Sequence, residues 1–64
     1  TSPLTSREHE VLVAAADGGT VANLSQRLHL SAGTVRNHLS AAIGKTGART
    51  RAEAVRIAED RGWL

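Results

Sequence analysis

A chain of 64 residues, 41% hydrophobic and with a formal charge of +2, has room for one small domain and one core; a domain of this size buries only about 60% of its unfolded surface. It has no cysteine, which excludes disulfides and thiolate metal sites, and no run approaches the roughly 20 apolar residues of a membrane span. With Trp63 as the one aromatic residue, the core must be built from Leu, Val, Ile and Ala, a composition that favours close-packed helices over a sheet.

The first helix is predicted over about residues 6–17. Thr5 and Glu8 form a capping box, Leu4 stands at the staple position, and Val11, Leu12, Ala15 and Ala16 recur at helical spacing before Gly18-Gly19 ends the run. A second helix is predicted over about 21–28, with Val21, Leu24, Ser25 and Leu28 following Thr20. Asn23 stands where Glu or Gln would complete a capping box, so this start is expected to be weaker than the first. Only His29 and Leu30 separate it from Ser31, an N-cap that opens a third helix over about 32–46, with Gly47 as its stop. Two short-linked helices of this kind read as a helix-turn-helix. A fourth helix, over about 51–61, opens with a second complete capping box, Thr50-Arg51-Ala52-Glu53, and ends at Gly62. The fold class is therefore all-α, a compact four-helix bundle containing a helix-turn-helix.

The third helix carries the most information. Val35, Leu39, Ala42, Ile43 and Thr46 define its buried face, while Gly33, Arg36, Asn37, Ser40 and Gly44 fall on the other side. Arginine presents a fork of donors suited to the O6 and N7 acceptors of guanine, and asparagine both gives and accepts, which suits adenine. Arg36, Asn37 and Ser40 are thus the candidate base-contacting row. Gly33 and Gly44 keep bulk off that face, although an interior glycine costs a helix roughly 1 kcal/mol relative to alanine, so Gly44 needs a reason such as close approach to DNA or another helix. Thr34, His38 and Lys45 form a flanking row placed to follow a phosphate strand, with Lys45 expected to add a sequence-independent, salt-sensitive contact. The Ser31 end contributes backbone N–H groups and the positive end of the helix dipole. Thr20, Val21 and Asn23, at the start of the second helix, are placed to hold the opposite strand, Thr20 and Asn23 as backbone contacts.

Charge placement points the same way. All six acids lie at or before Asp17 or at or after Glu53, leaving Arg27, Arg36, Lys45, Arg49 and Arg51 in an acid-free middle that suits a polyanion. On the fourth helix, Ala54, Ile57 and Ala58 should face the core with Val55 at the margin. Ala52, Arg56 and Glu59 lie on the opposite side, and Trp63 would join them if the helix ran on. In a two-fold contact Arg56 of one copy can meet Glu59 of the other. His9 reads as a surface residue and His29 as partly packed in the turn; no pair of histidines has metal-ligand spacing. No nucleophile, base and oxyanion donor cluster together, so neither catalysis, a cofactor nor a metal is expected.

The segments Leu4-Thr5-x-Arg7-Glu8-x-Glu10-Val11-Leu12, Leu28-x-Leu30-Ser31-x-Gly33-Thr34-Val35-Arg36-Asn37-His38-Leu39, Lys45-x-Gly47 and Arg51-x-x-Ala54-Val55 resemble the LuxR/FixJ-type helix-turn-helix domain over nearly the whole chain. The resemblance implies a four-helix DNA-binding domain at the C-terminus of a bacterial transcription regulator, with its third helix in the major groove and its fourth pairing two copies. By position it implies base contacts from Arg36, Asn37 and Ser40, backbone contacts from Thr34 and Lys45, and a dimer face of Ala52, Arg56 and Glu59. The chain departs from the pattern at Val21-Ala22-Asn23, where Asn-x-Glu is frequent, and at Gly33, where some relatives carry a contacting lysine. Thr46 and Ala48 replace larger aliphatic residues, which predicts a looser or differently filled junction between the third and fourth helices.

The function expected from these readings is sequence-specific binding of double-stranded DNA, as the output domain of a two-component response regulator acting as a dimer in the cytoplasm. A start at Thr1 rather than Met suggests a C-terminal piece of a longer regulator, whose N-terminal input domain would be a phosphorylatable receiver. The alternatives are the output domain of a quorum-sensing regulator, a sigma-factor-like promoter-binding domain, or a protein-interaction module with weak DNA binding.

Overall fold

The computed structural model describes residues 2–64, which form α1 (Ser6–Ala16), α2 (Val21–Leu28), α3 (Ala32–Thr46) and α4 (Arg51–Asp60), with no strand among them. Each helix begins where a hydroxyl side chain meets its first free N–H groups. Thr5 Oγ1 accepts from Glu8 N at 3.1 Å while Glu8 Oε1 accepts from Thr5 N at 2.9 Å, closing the expected capping box. The start of α2 is better closed than the sequence reading predicts. Asn23 Oδ1 accepts from Thr20 N at 3.1 Å and Thr20 Oγ1 accepts from Asn23 N at 3.2 Å, so the shorter amide does the work assigned to Glu or Gln. The reverse holds at α4. Thr50 Oγ1 caps Glu53 N at 3.1 Å, but the Glu53 carboxylate accepts from Arg49 N, also at 3.1 Å, so the second half of that box is displaced by one residue.

The ends are equally local. α1 stops one residue short of its expected limit, with Asp17 as its cap, and the chain leaves through Gly18 and Gly19 at φ 86° and 104°. α2 ends on His29, the one non-glycine residue in the left-handed region, at φ 56°. The N–H groups of His29 and Leu30 both reach Ser25 O, and the Ser25 hydroxyl donates to Leu30 O, so one serine fastens both sides of the turn. His29 is exposed rather than partly packed, because the left-handed backbone swings its ring away from the core.

The core contains only aliphatic side chains: Val11, Leu12 and Ala15 of α1, Leu24 of α2, Val35, Leu39 and Ala42 of α3, and Ala54 and Ala58 of α4. Val55 packs against this cluster from α4, whereas Ile57, expected there, is half-buried outside it. The helix does not run on to Trp63. α4 ends at Asp60, Gly62 turns at φ 74°, and Trp63 N donates to Ala58 O at 2.8 Å. The ring therefore folds back against the core beneath the Arg61 guanidinium, 5.0 Å from its centroid, and does not join the Ala52, Arg56 and Glu59 face.

Thr46 is buried, as its place on the inner face of α3 predicts, and it is fully used. Its hydroxyl donates to Ile43 O at 2.7 Å and accepts from Ala48 N at 3.2 Å, so the α3–α4 junction is filled by polar bonds. At the C-terminus of α1, where no basic residue lies in the last turn, two arginines from other helices supply the missing cations. Arg27 Nη2 donates to Ala14 O at 3.0 Å and Gly18 O at 3.2 Å, and Arg51 Nη2 donates to Ala15 O at 3.4 Å and to Gly19 O. Such contacts satisfy the last carbonyls and favour the negative end of the dipole.

His29→Gly is expected to raise stability by about 1 kcal/mol, since a left-handed side-chain residue costs roughly 1–2 kcal/mol and glycine's added chain entropy offsets part of that gain. A urea melt measures it; a lower midpoint would mean that the imidazole stabilises the turn. Arg51→Met should lower stability by about 1–2 kcal/mol through loss of hydrogen bonds from a charged donor, read as a fall in thermal midpoint.

Candidate nucleic-acid interface

The helix-turn-helix consists of α2, the turn through His29 and Leu30, and α3. Because Val35, Leu39, Ala42 and Thr46 are buried, the opposite side of α3 is forced outward, and Gly33, Arg36, Asn37, Ser40 and Gly44 are all exposed. They are spaced i, i+3, i+4, i+7 and i+11, so they form one straight stripe. A Cβ built on either Gly33 or Gly44 meets nothing within 4 Å. Neither glycine is therefore required by packing inside the domain, and their smallness is available to whatever approaches the stripe.

The flank of the stripe is mixed. Thr34 and His38 are half-buried, and Ser31 Oγ accepts from Thr34 N at 3.1 Å and donates to Thr34 Oγ1 at 2.8 Å. Thr20 and Asn23 are exposed at the start of α2, with Asn23 using only its carbonyl oxygen in the cap, so its amide N–H groups stay available to a ligand. Lys45, read as a phosphate contact, has a protein partner: its Nζ lies 2.6 Å from Glu8 Oε1. The carboxylate side chain is 9% exposed and the lysine 36%. The hydrogen bond from Lys45, with that from the Thr5 backbone, holds the Glu8 carboxyl below the usual glutamate range against the opposing effect of burial.

These contacts revise the charge argument. Of the five cations in the acid-free middle, Arg27, Arg51 and Lys45 are bonded inside the domain. Arg36 and Arg49 remain exposed with no ion-pair partner among the described residues. Sequence reasoning found Glu8 as a cap but missed its second bond, because Lys45 is 37 residues away. On α4, Ala52, Arg56 and Glu59 are exposed together, and Ala52 borders an open groove shared with Ala15, Ala16 and Val55. No helix among the described residues is long and apolar enough to cross a membrane.

The order of helices, the two-residue turn and the polar outer stripe define a helix-turn-helix DNA-binding domain of four helices. Residues 2–58 match the family described as bacterial regulatory proteins, luxR family. The chain belongs to that family. It is 51% identical over 61 residues to the response regulator RamR of Streptomyces coelicolor, covering 95% of this chain and 30% of that protein. It is 49% identical over 63 residues to the transcriptional regulatory protein YvfU of Bacillus subtilis, covering 98% of this chain and 32% of that protein. With the spore germination protein GerE of the same organism it shares 40% identity over 52 residues, covering 81% of this chain and 70% of that protein. The chain thus spans about a third of the length of RamR and YvfU.

The lowered Glu8 pKa has a defined consequence for stability. A carboxyl whose folded pKa lies below its unfolded value stabilises the fold above the unfolded value, and that contribution disappears as pH falls through the folded one. Stability should therefore begin to fall below about pH 4.3, the ordinary glutamate value. Glu8→Gln should be less stable at neutral pH and show a flatter acid limb in urea melts recorded across pH; an unchanged acid limb would contradict the assignment.

Proposed function

We propose that this chain is the DNA-binding output module of a bacterial response regulator, with α3 lying in the major groove of double-stranded DNA. The observation that carries the reading is the exposed row of Arg36, Asn37 and Ser40, bounded by two glycines that packing inside the domain does not require. Arg36 reads guanine, Asn37 reads adenine, and Ser40 addresses a neighbouring base pair. Ser31, Thr34 and His38 follow one phosphate strand and Thr20 and Asn23 the other. The likeness to RamR supports the response-regulator reading over a quorum-sensing one. On that reading a phosphorylatable receiver precedes the domain in a longer cytoplasmic protein. Two copies pair through Ala52, Arg56 and Glu59 of α4, setting their recognition helices about one DNA turn apart, roughly 34 Å.

Selection of bound sequences from random DNA tests sequence preference and half-site symmetry together. A protein-interaction module would show no salt-sensitive binding to mixed DNA. Arg36→Ala is expected to cost about 1–3 kcal/mol at the preferred site and to relax preference at one position; retention of both affinity and site would refute the base contact. Gly44→Ala should stabilise the free domain by up to about 1 kcal/mol, while Gly44→Leu should weaken DNA binding through bulk on the stripe. For the paired form, Arg56→Glu and Glu59→Arg should each weaken binding to a two-half-site DNA without affecting a single half-site. The double variant should restore it, as symmetry requires.

A further inference from the structure

The Glu8–Lys45 pair bears on how strongly the domain is attracted to any DNA at all. We propose that Glu8 is an internal competitor of DNA phosphate for Lys45, holding its ammonium in the fold and withholding its charge from the nucleic acid. The inference rests on the DNA-binding reading and adds to it a residue that sets sequence-independent affinity.

Three observations carry it. Lys45 follows Gly44 of the exposed stripe and lies on the same flank of α3 as Thr34 and His38, eleven and seven residues earlier. Its position is therefore one from which a free lysine would reach the backbone beside the groove. Its Nζ is instead 2.6 Å from Glu8 Oε1, the oxygen that also accepts Thr5 N at 2.9 Å. Removing the lysine would leave a carboxylate of 9% exposure with one hydrogen bond, from Thr5 N in the α1 cap. An uncompensated buried charge is among the costliest defects in a fold, whereas a phosphate on DNA already has condensed counterions to neutralise it. Glu8 therefore holds the lysine against the competing anion. Finally, Arg27 and Arg51 are bonded to α1 carbonyls, so one more free cation would be a large fractional change in what the surface offers a phosphate strand.

Glu8→Gln is the direct test, because the amide oxygen can still accept from Thr5 N while the charge is lost. Binding to mixed-sequence duplex DNA is measured by fluorescence anisotropy between about 50 and 200 mM salt, where each phosphate neutralised contributes about −0.9 to the slope of log K against log salt. Glu8→Gln should steepen the slope by about 0.9 and raise low-salt affinity about tenfold. Lys45→Gln should leave the slope of the unaltered chain unchanged, and the double variant should show that same slope. Asp60→Asn, which removes an exposed acid with no ion-pair partner among the described residues, controls for net charge and should not steepen it. A slope that Glu8→Gln leaves unchanged, or that Asp60→Asn steepens equally, overturns the proposal. A slope made shallower by about 0.9 in Lys45→Gln also overturns it, since Lys45 would already be on a phosphate. Should thermal melting show that either single variant is unfolded, the double variant, which removes both charges, decides alone: a slope about 0.9 shallower than that of the unaltered chain overturns the proposal. Absence of salt-dependent binding by the unaltered chain would instead refute the DNA-binding reading itself.

Discussion

The arrangement of this domain depends on α1 being tied at both ends to helices that come later in the chain. At its N-terminus the Glu8 carboxylate joins the α1 cap to Lys45 in the last turn of α3. At its C-terminus Arg27 of α2 and Arg51 of α4 bond to four carbonyl oxygens at and just beyond the helix end. Such ties matter because the core is small and wholly aliphatic, with four of its nine buried hydrophobic residues alanine. The bonds at the ends of α1 add directed contacts to this small, alanine-rich packing.

This use of cations limits how much of the domain's modest charge is left free at its surface. Three of its middle five basic residues are committed to carbonyls or a carboxylate. What remains on the outer face of α3 is one guanidinium, one amide, one hydroxyl and two glycines. Recognition on such a face relies on close approach and directed hydrogen bonds, while phosphate attraction sets its baseline.

The turn between α2 and α3 adds a separate constraint. Its angle is held by Ser25, whose carbonyl and hydroxyl engage both His29 and Leu30, and by a histidine in a left-handed conformation that glycine would adopt with less strain. Histidine is among the side-chain residues that visit this region more readily than most. The turn is short, so a change in its backbone angles would redirect α3 as a whole.

The starts of all four helices, the glycine stops of α1, α3 and α4, and the buried and exposed faces of α3 were legible in the amino-acid sequence. Those features arise between residues within about four positions of one another, where spacing alone dictates geometry. Small errors appeared even there: the Asn23 cap closes and the Thr50 box does not. The assignment of the basic residues was decided only by the tertiary structure. Arg27, Lys45 and Arg51 look like free cations along the chain, yet their partners lie 9 to 37 residues away. Which anion or carbonyl a long, flexible side chain meets depends on how the helices are stacked, and no local spacing rule contains that information.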